Sequence, residues 1–107
     1  MNIIVDRPQL VRVVLRYLNM NFGDLTPKSY LNIPGKVFYV NTDNEVIMEY
    51  DKENEHVWID YYNFWSKIES LFSLNYRETQ SIMKVWLEET YKLEGVTPSY
   101  NESSATW

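Results

Sequence analysis

The chain has no cysteine. That removes disulfide frameworks, thiolate metal sites and cysteine nucleophiles together, and it fits a reducing compartment. A single histidine, His56, leaves any zinc site to be built from carboxylates. Glycine is scarce, three residues in 107. No GxGxxG can be written, and "NIPGKVF", with one glycine before Lys36, is far from a Walker loop. No serine sits in a GxSxG elbow. Long apolar runs are missing as well. "LVRVVLRYL" is interrupted by Arg12 and Arg16 and is too short to span a bilayer. "MNIIVDRP" lacks the apolar core of a signal peptide. These absences give the expectation of a soluble, cytoplasmic, non-enzymatic protein with no cofactor, no metal and no membrane association.

What the chain does have is a globular composition, 45% hydrophobic and 23% charged, at a length close to the commonest domain size. Aromatic residues make up 16%, including nine tyrosines and four tryptophans. That is more flat amphipathic surface than a small core needs, so some rings are expected at partner contacts. Asn and Tyr are plentiful while Gly and Ala are few, a bias associated with AT-rich genomes and small phage or viral accessory proteins.

The net charge of −5 is unevenly spread. Residues 1–36 carry Arg7, Arg12, Arg16, Lys28 and Lys36 against Asp6 and Asp24, a net +3. Residues 37–63 carry seven acidic residues against Lys52, a net −6. Such asymmetry is often an ordinary solvated surface, and it can also steer a basic partner.

Element signals predict an α+β fold in the order α-β-β-β-α-α. Asp6, Pro8 and Gln9 mark a helix start, and Leu10, Val11, Val14, Leu15, Leu18 and Phe22 recur at helical spacing. "GDLTPKSYLNIPG" reads as an ordered loop. "KVFYVNT", "EVIMEY" and "HVWIDY", rich in β-branched and aromatic residues, read as a three-stranded antiparallel meander. Its turns, "TDNE" and "DKENE", hold Asp and Asn side chains that can bond the local backbone. Asp60 is expected to cap a helix with Tyr61, Phe64, Trp65, Ile68, Leu71 and Phe72 inward. Asn75 with Glu78 looks like a capping box for a second helix burying Thr79, Ile82, Met83, Trp86 and Leu93, with Gly95 at its end. Residues 1–95 thus form one domain, and 96–107 reads as a polar, disordered tail.

"DKENEHVWIDYY" places Asp51, Glu53 and Glu55 at the first, third and fifth positions of an EF-hand loop. Position six is His56 instead of glycine and position twelve is Tyr62 instead of a bidentate glutamate, so no calcium site is expected. His56 lacks a matching nucleophile motif and is expected to be a surface residue at a strand start. The remaining reading is a contact module: Tyr39, Tyr50, Trp58 and Tyr62 as a patch rimmed by Glu49, Asp51 and Glu53, for a basic protein partner or for self-association. The alternative is a nucleic-acid-associated factor using Arg12 and Arg16, or the helix pair in "FSLNYRETQSIMKVWLEE" as a helix-turn-helix. A sequence pI near 4.8 argues against duplex binding.

Overall fold

In the computed structural model, which describes residues 7–101, one helix precedes four strands, two helices and a fifth strand. Helix α1 spans Arg7–Phe22. Asp6, its expected cap, lies outside the described residues. The helix ends where Gly23 donates its N–H to the Asn19 carbonyl at 3.1 Å. A Cβ at Gly23 would lie 2.4 Å from that oxygen, so only glycine fits this close return of the chain.

Strands β1 (Thr26–Tyr30), β2 (Ile33–Val40), β3 (Val46–Asp51) and β4 (His56–Asp60) form the expected antiparallel meander, enlarged by one strand. Two of their turns use Asn/Asp side-chain bonds to the local backbone, in the first from Asn41, just ahead of the expected "TDNE". Asn41 Oδ1 accepts the backbone N–H groups of Asp43 and Glu45, and Asp51 Oδ1 accepts those of Glu53 and Asn54. Asn44 and Glu55 take left-handed backbone angles, φ 63° and 50°, to close the β2–β3 and β3–β4 hairpins.

Asp60 then caps a π-helical turn, Tyr61–Trp65, its carboxylate accepting the Asn63 N–H at 3.1 Å. The turn runs into α2 (Ser66–Phe72), and Ser73 in the left-handed region ends that helix. Helix α3 (Tyr76–Tyr91) opens with the predicted capping box: Asn75 Oδ1 accepts the Glu78 N–H, and Glu78 Oε1 accepts the Asn75 N–H. Lys92, with φ 59°, closes α3, and Gly95 serves instead in the turn that follows.

Two segments depart from expectation. "TPKSY" within the expected loop is β1, and Thr97–Asn101 within the expected tail is β5, paired parallel to β4. The sheet is therefore five-stranded and mixed, in the order β1-β2-β3-β4-β5. A parallel neighbour needs a long crossover, and the pair α2–α3 is that connection. Both added strands sit at sheet edges and both contain proline, Pro27 and Pro98, which only an edge tolerates. Gln80 Nε2 on α3 donates to the Pro98 carbonyl at 2.8 Å, holding β5 down. Residues 102–107 lie outside the described residues.

The core lies on one face of the sheet. Val14 and Leu18 of α1, Phe64, Trp65 and Ile68 of the second helical unit, and Ile82, Met83, Trp86 and Leu87 of α3 bury against Val37, Tyr39, Met48, Val57 and Ile59. Phe22 stacks on Phe64 at 3.9 Å, and Phe64 meets the Trp86 ring edge at 5.5 Å. Trp65 and Trp86 are fully buried, as their helical spacing predicts. Leu71 is the exception on α2: it is 59% exposed.

Candidate functional site

Side chains directly opposed across strands share a face, and neighbours along a strand alternate. The register therefore sorts the predicted patch. Val37, Tyr50 and Val57 form one cross-strand row, and Tyr39, Met48 and Ile59 another; both belong to the helix-covered core. Phe38, Glu49, Trp58 and Ser99 form a row on the opposite face, next to Lys36, Asp51, His56 and Thr97.

Tyr39 is thus not a surface anchor. It is 6% exposed, its ring packs edge-on to Tyr91 of α3 at 5.0 Å, and burial pushes its pKa up. Tyr50 is half-buried against the same core. Tyr62 is 57% exposed, but it projects from the π-helical turn beyond β4, edge-on to Tyr61. Of the four rings, Trp58 alone stands on the second face of the sheet, 37% exposed.

Among the described residues, no helix covers that second face. The ring partners of Phe38 and Trp58 are Tyr30 and His56, both from the same sheet. Phe38 is buried yet lies outside the core cluster. With Tyr30, Ile33 and Val46 it lines a shallow apolar depression of about 240 Å³. Two strands away, roughly 10 Å by strand spacing, Trp58 and His56 meet at a tilt of 45° with ring centres 4.3 Å apart. Between these anchors Lys36 Nζ and Glu49 Oε2 pair at 3.4 Å. The surface is an apolar dimple and an indole separated by an ion pair.

The chain matches no protein-family model, no curated protein and no solved structure.

His56 Nε2 and Ser99 Oγ share a hydrogen bond of 2.6 Å, the donor depending on the imidazole tautomer. Burial lowers the His56 pKa, opposed by the nearby Asp51 carboxylate. Base and hydroxyl are at the separation of a nucleophile pair, but the third member is committed elsewhere. Asp51 Oδ1 and Oδ2 accept three bonds from Glu53 and Asn54, and the Asn54 amide is the first cause of its lowered pKa. Ser99 also sits within a strand, not on the sharp turn that exposes an activated serine. The bond's evident effect is to clasp β5 to β4.

Of the predicted acidic rim, Glu49 flanks Trp58 directly, and Asp51 lies opposite His56. Glu53 lies over Gly35 in the β3–β4 turn, its Cγ 3.6 Å from where a Cβ on that glycine would be. Sequence reasoning missed Phe38, Tyr30 and Ser99 as members of this face. Alternation in "KVFYV" and "HVWID" gives each strand two faces, but nothing in either strand says which face of one joins which face of the other.

For the alternative reading, Arg12 and Arg16 are exposed on α1, away from the sheet's second face. The helix pair consists of a seven-residue α2, three linking residues and α3, whose outward side mixes Arg77 and Lys84 with Glu88 and Glu89. Among the described residues, no group of three or more His, Cys, Asp or Glu is arranged to hold a metal ion, and no helix is long and apolar enough to cross a membrane.

Proposed function

We propose that the protein is a non-enzymatic interaction module that docks a protein partner on the second face of its sheet. The observation that carries this reading is Trp58, a large ring left partly in water on a sheet face that, among the described residues, no helix covers. Trp is among the residues enriched where a few interface positions dominate affinity, and with Glu49 paired to Lys36 it is Asp51 that leaves an acidic flank for a basic complement. The spacing of the two apolar anchors, roughly 10 Å, suits a helix with side chains seven residues apart.

The test compares Trp58→Ala with Leu71→Ala, an exposed apolar residue on α2. Light scattering over a wide concentration range reports self-association, and affinity capture from the native host reports other partners. A complex weakened about 30-fold by Trp58→Ala, the loss of about 2 kcal/mol expected of an anchor, and unaffected by Leu71→Ala supports the reading. A complex indifferent to Trp58→Ala, with both variants folded, overturns it.

A further inference from the structure

A second surface of distinct chemistry runs along α1. Arg12, Leu15, Arg16, Asn19 and Met20 line a shallow, open depression of about 480 Å³. The α1 segment "RPQLVRVVLRYLNMNF" contains three arginines and no acidic residue. Arg12 and Arg16 stand one helical turn apart, on the same side. Neither Arg12 nor Arg16 forms an ion pair with a carboxylate among the described residues.

Asn19 adds a third donor, and its orientation is forced. The Trp86 indole N–H can only donate, and it meets the Asn19 side chain at 3.0 Å, so the atom facing it is the carbonyl oxygen. Thr90 Oγ1 donates to the same oxygen at 2.8 Å. Both lone pairs of Oδ1 are then used, and the Asn19 amide NH₂ is the group left for solvent or a ligand. The depression therefore offers two guanidiniums and an oriented amide, with no carboxylate among its lining residues. Its other walls are apolar: Leu15 is half-buried against the core, and Met20 is 79% exposed.

We infer that this depression binds an oxyanion carried on an apolar body, an organic phosphate or carboxylate. Arg12 and Arg16 take the charged end in fork geometry, Asn19 Nδ2 donates a further bond, and the apolar part covers Leu15 and Met20. A nucleic-acid backbone fits less well. Duplex binders of ordinary affinity neutralise about 6–10 phosphates, whereas two arginines line this depression on a chain of net charge −5. A phosphodiester track would also leave the Met20 side chain in water. These residues are separate from those around Trp58, so the two readings stand or fall independently.

The test is an NMR titration of the full chain with phenyl phosphate, benzoate and inorganic phosphate at constant ionic strength. The signals followed are the Arg12 and Arg16 Nε–H groups, the Asn19 NH₂ and the Met20 methyl. Saturable shifts confined to these groups are expected. Phenyl phosphate should bind about tenfold tighter than inorganic phosphate, the worth of burying roughly two CH₂ groups. Met20→Ser should reduce that preference, since Leu15 alone then receives the apolar part. The double variant Arg12→Ala with Arg16→Ala, checked for an unaltered Tm, should weaken phenyl phosphate by at least about tenfold, since charge-assisted bonds are lost. Comparable affinity for phenyl phosphate and benzoate makes the site a general oxyanion site, and a preference for one assigns the headgroup. Shifts that stay linear into tens of millimolar, or that persist in the double variant, overturn the inference. So does a short oligothymidylate that outcompetes phenyl phosphate, because that result assigns the arginines to nucleic acid.

Discussion

Replacing Tyr91 with Phe removes one oxygen from the junction of three elements. The Tyr91 hydroxyl donates to the Phe22 carbonyl at the end of α1 and accepts the Leu25 N–H at 3.1 Å just before β1. Its ring contacts, Tyr39 at 5.0 Å and Trp86 at 5.3 Å, do not involve the oxygen and survive in phenylalanine. The variant therefore isolates the hydrogen bonds from the packing. It leaves a part-buried N–H and carbonyl without their partner, at about 1–3 kcal/mol for such orphaned groups. Taking about 2 kcal/mol, and about 4–5 °C per kcal/mol for a domain of this length, Tm falls by roughly 9 °C. Calorimetry and urea unfolding with an unchanged m value measure it. A pH arm sharpens the result. Burial pushes the Tyr91 pKa up to about 12 from 10.0. The stabilising difference is complete below pH 10 and is lost as pH rises toward 12, because the unfolded phenol ionises first. The difference between wild type and variant cancels the other tyrosines and should shrink over that window. A Tm change under about 2 °C, the scale of an ordinary surface substitution, would refute the view that this hydroxyl ties α1 and β1 to α3.

Asn75→Ala removes the cap of α3 and should cost about 1 kcal/mol, readable in urea unfolding; an unchanged midpoint would mean that the capping box contributes nothing. His56 is the single histidine, and burial lowers its pKa below 6.5. The unfolded chain therefore takes up the proton first, and stability should fall as pH drops below 6.5 toward 5. His56→Gln should flatten this slope between pH 6.5 and 5.5, and an equal slope in both proteins would place its cause elsewhere. Truncation after Gly95 removes fully buried Val96 and uncovers the β4 edge. The shortened chain should lose cooperative melting or aggregate in light scattering, and a sharp transition near the wild-type Tm would show β5 to be dispensable.

Much of the architecture could be read locally. Helix α1, the three central strands, both Asn/Asp-closed turns, the Asn75 capping box and the burial of Trp65 and Trp86 follow from periodicity and capping, which act within a few residues. The candidate surface was legible only in part. The sequence puts Trp58 in an aromatic patch with Glu49 on its rim, but it groups Tyr39 with Trp58 because both look like strand residues with amphipathic rings. Alternation is a property of one strand, but a shared face is a property of two. The register Phe38↔Glu49↔Trp58 puts Tyr39 one residue out of phase, and one residue in a strand is the opposite side of the sheet.

The edge strands illustrate the same limit. "TPKSY" and "VTPSYN" have no alternation to read, because an edge strand need not bury a full face and tolerates proline. What makes Thr97–Asn101 a strand is β4 lying beside it, delivered by a crossover through α2 and α3, with the His56–Ser99 bond across the seam. The amino-acid sequence by itself determined where the chain coils, where it extends and which rings cannot stay in water. Only the tertiary structure decided how many strands pair, which face the helices cover and which of the aromatic residues remain outside, because pairing and register depend on groups far apart in the chain.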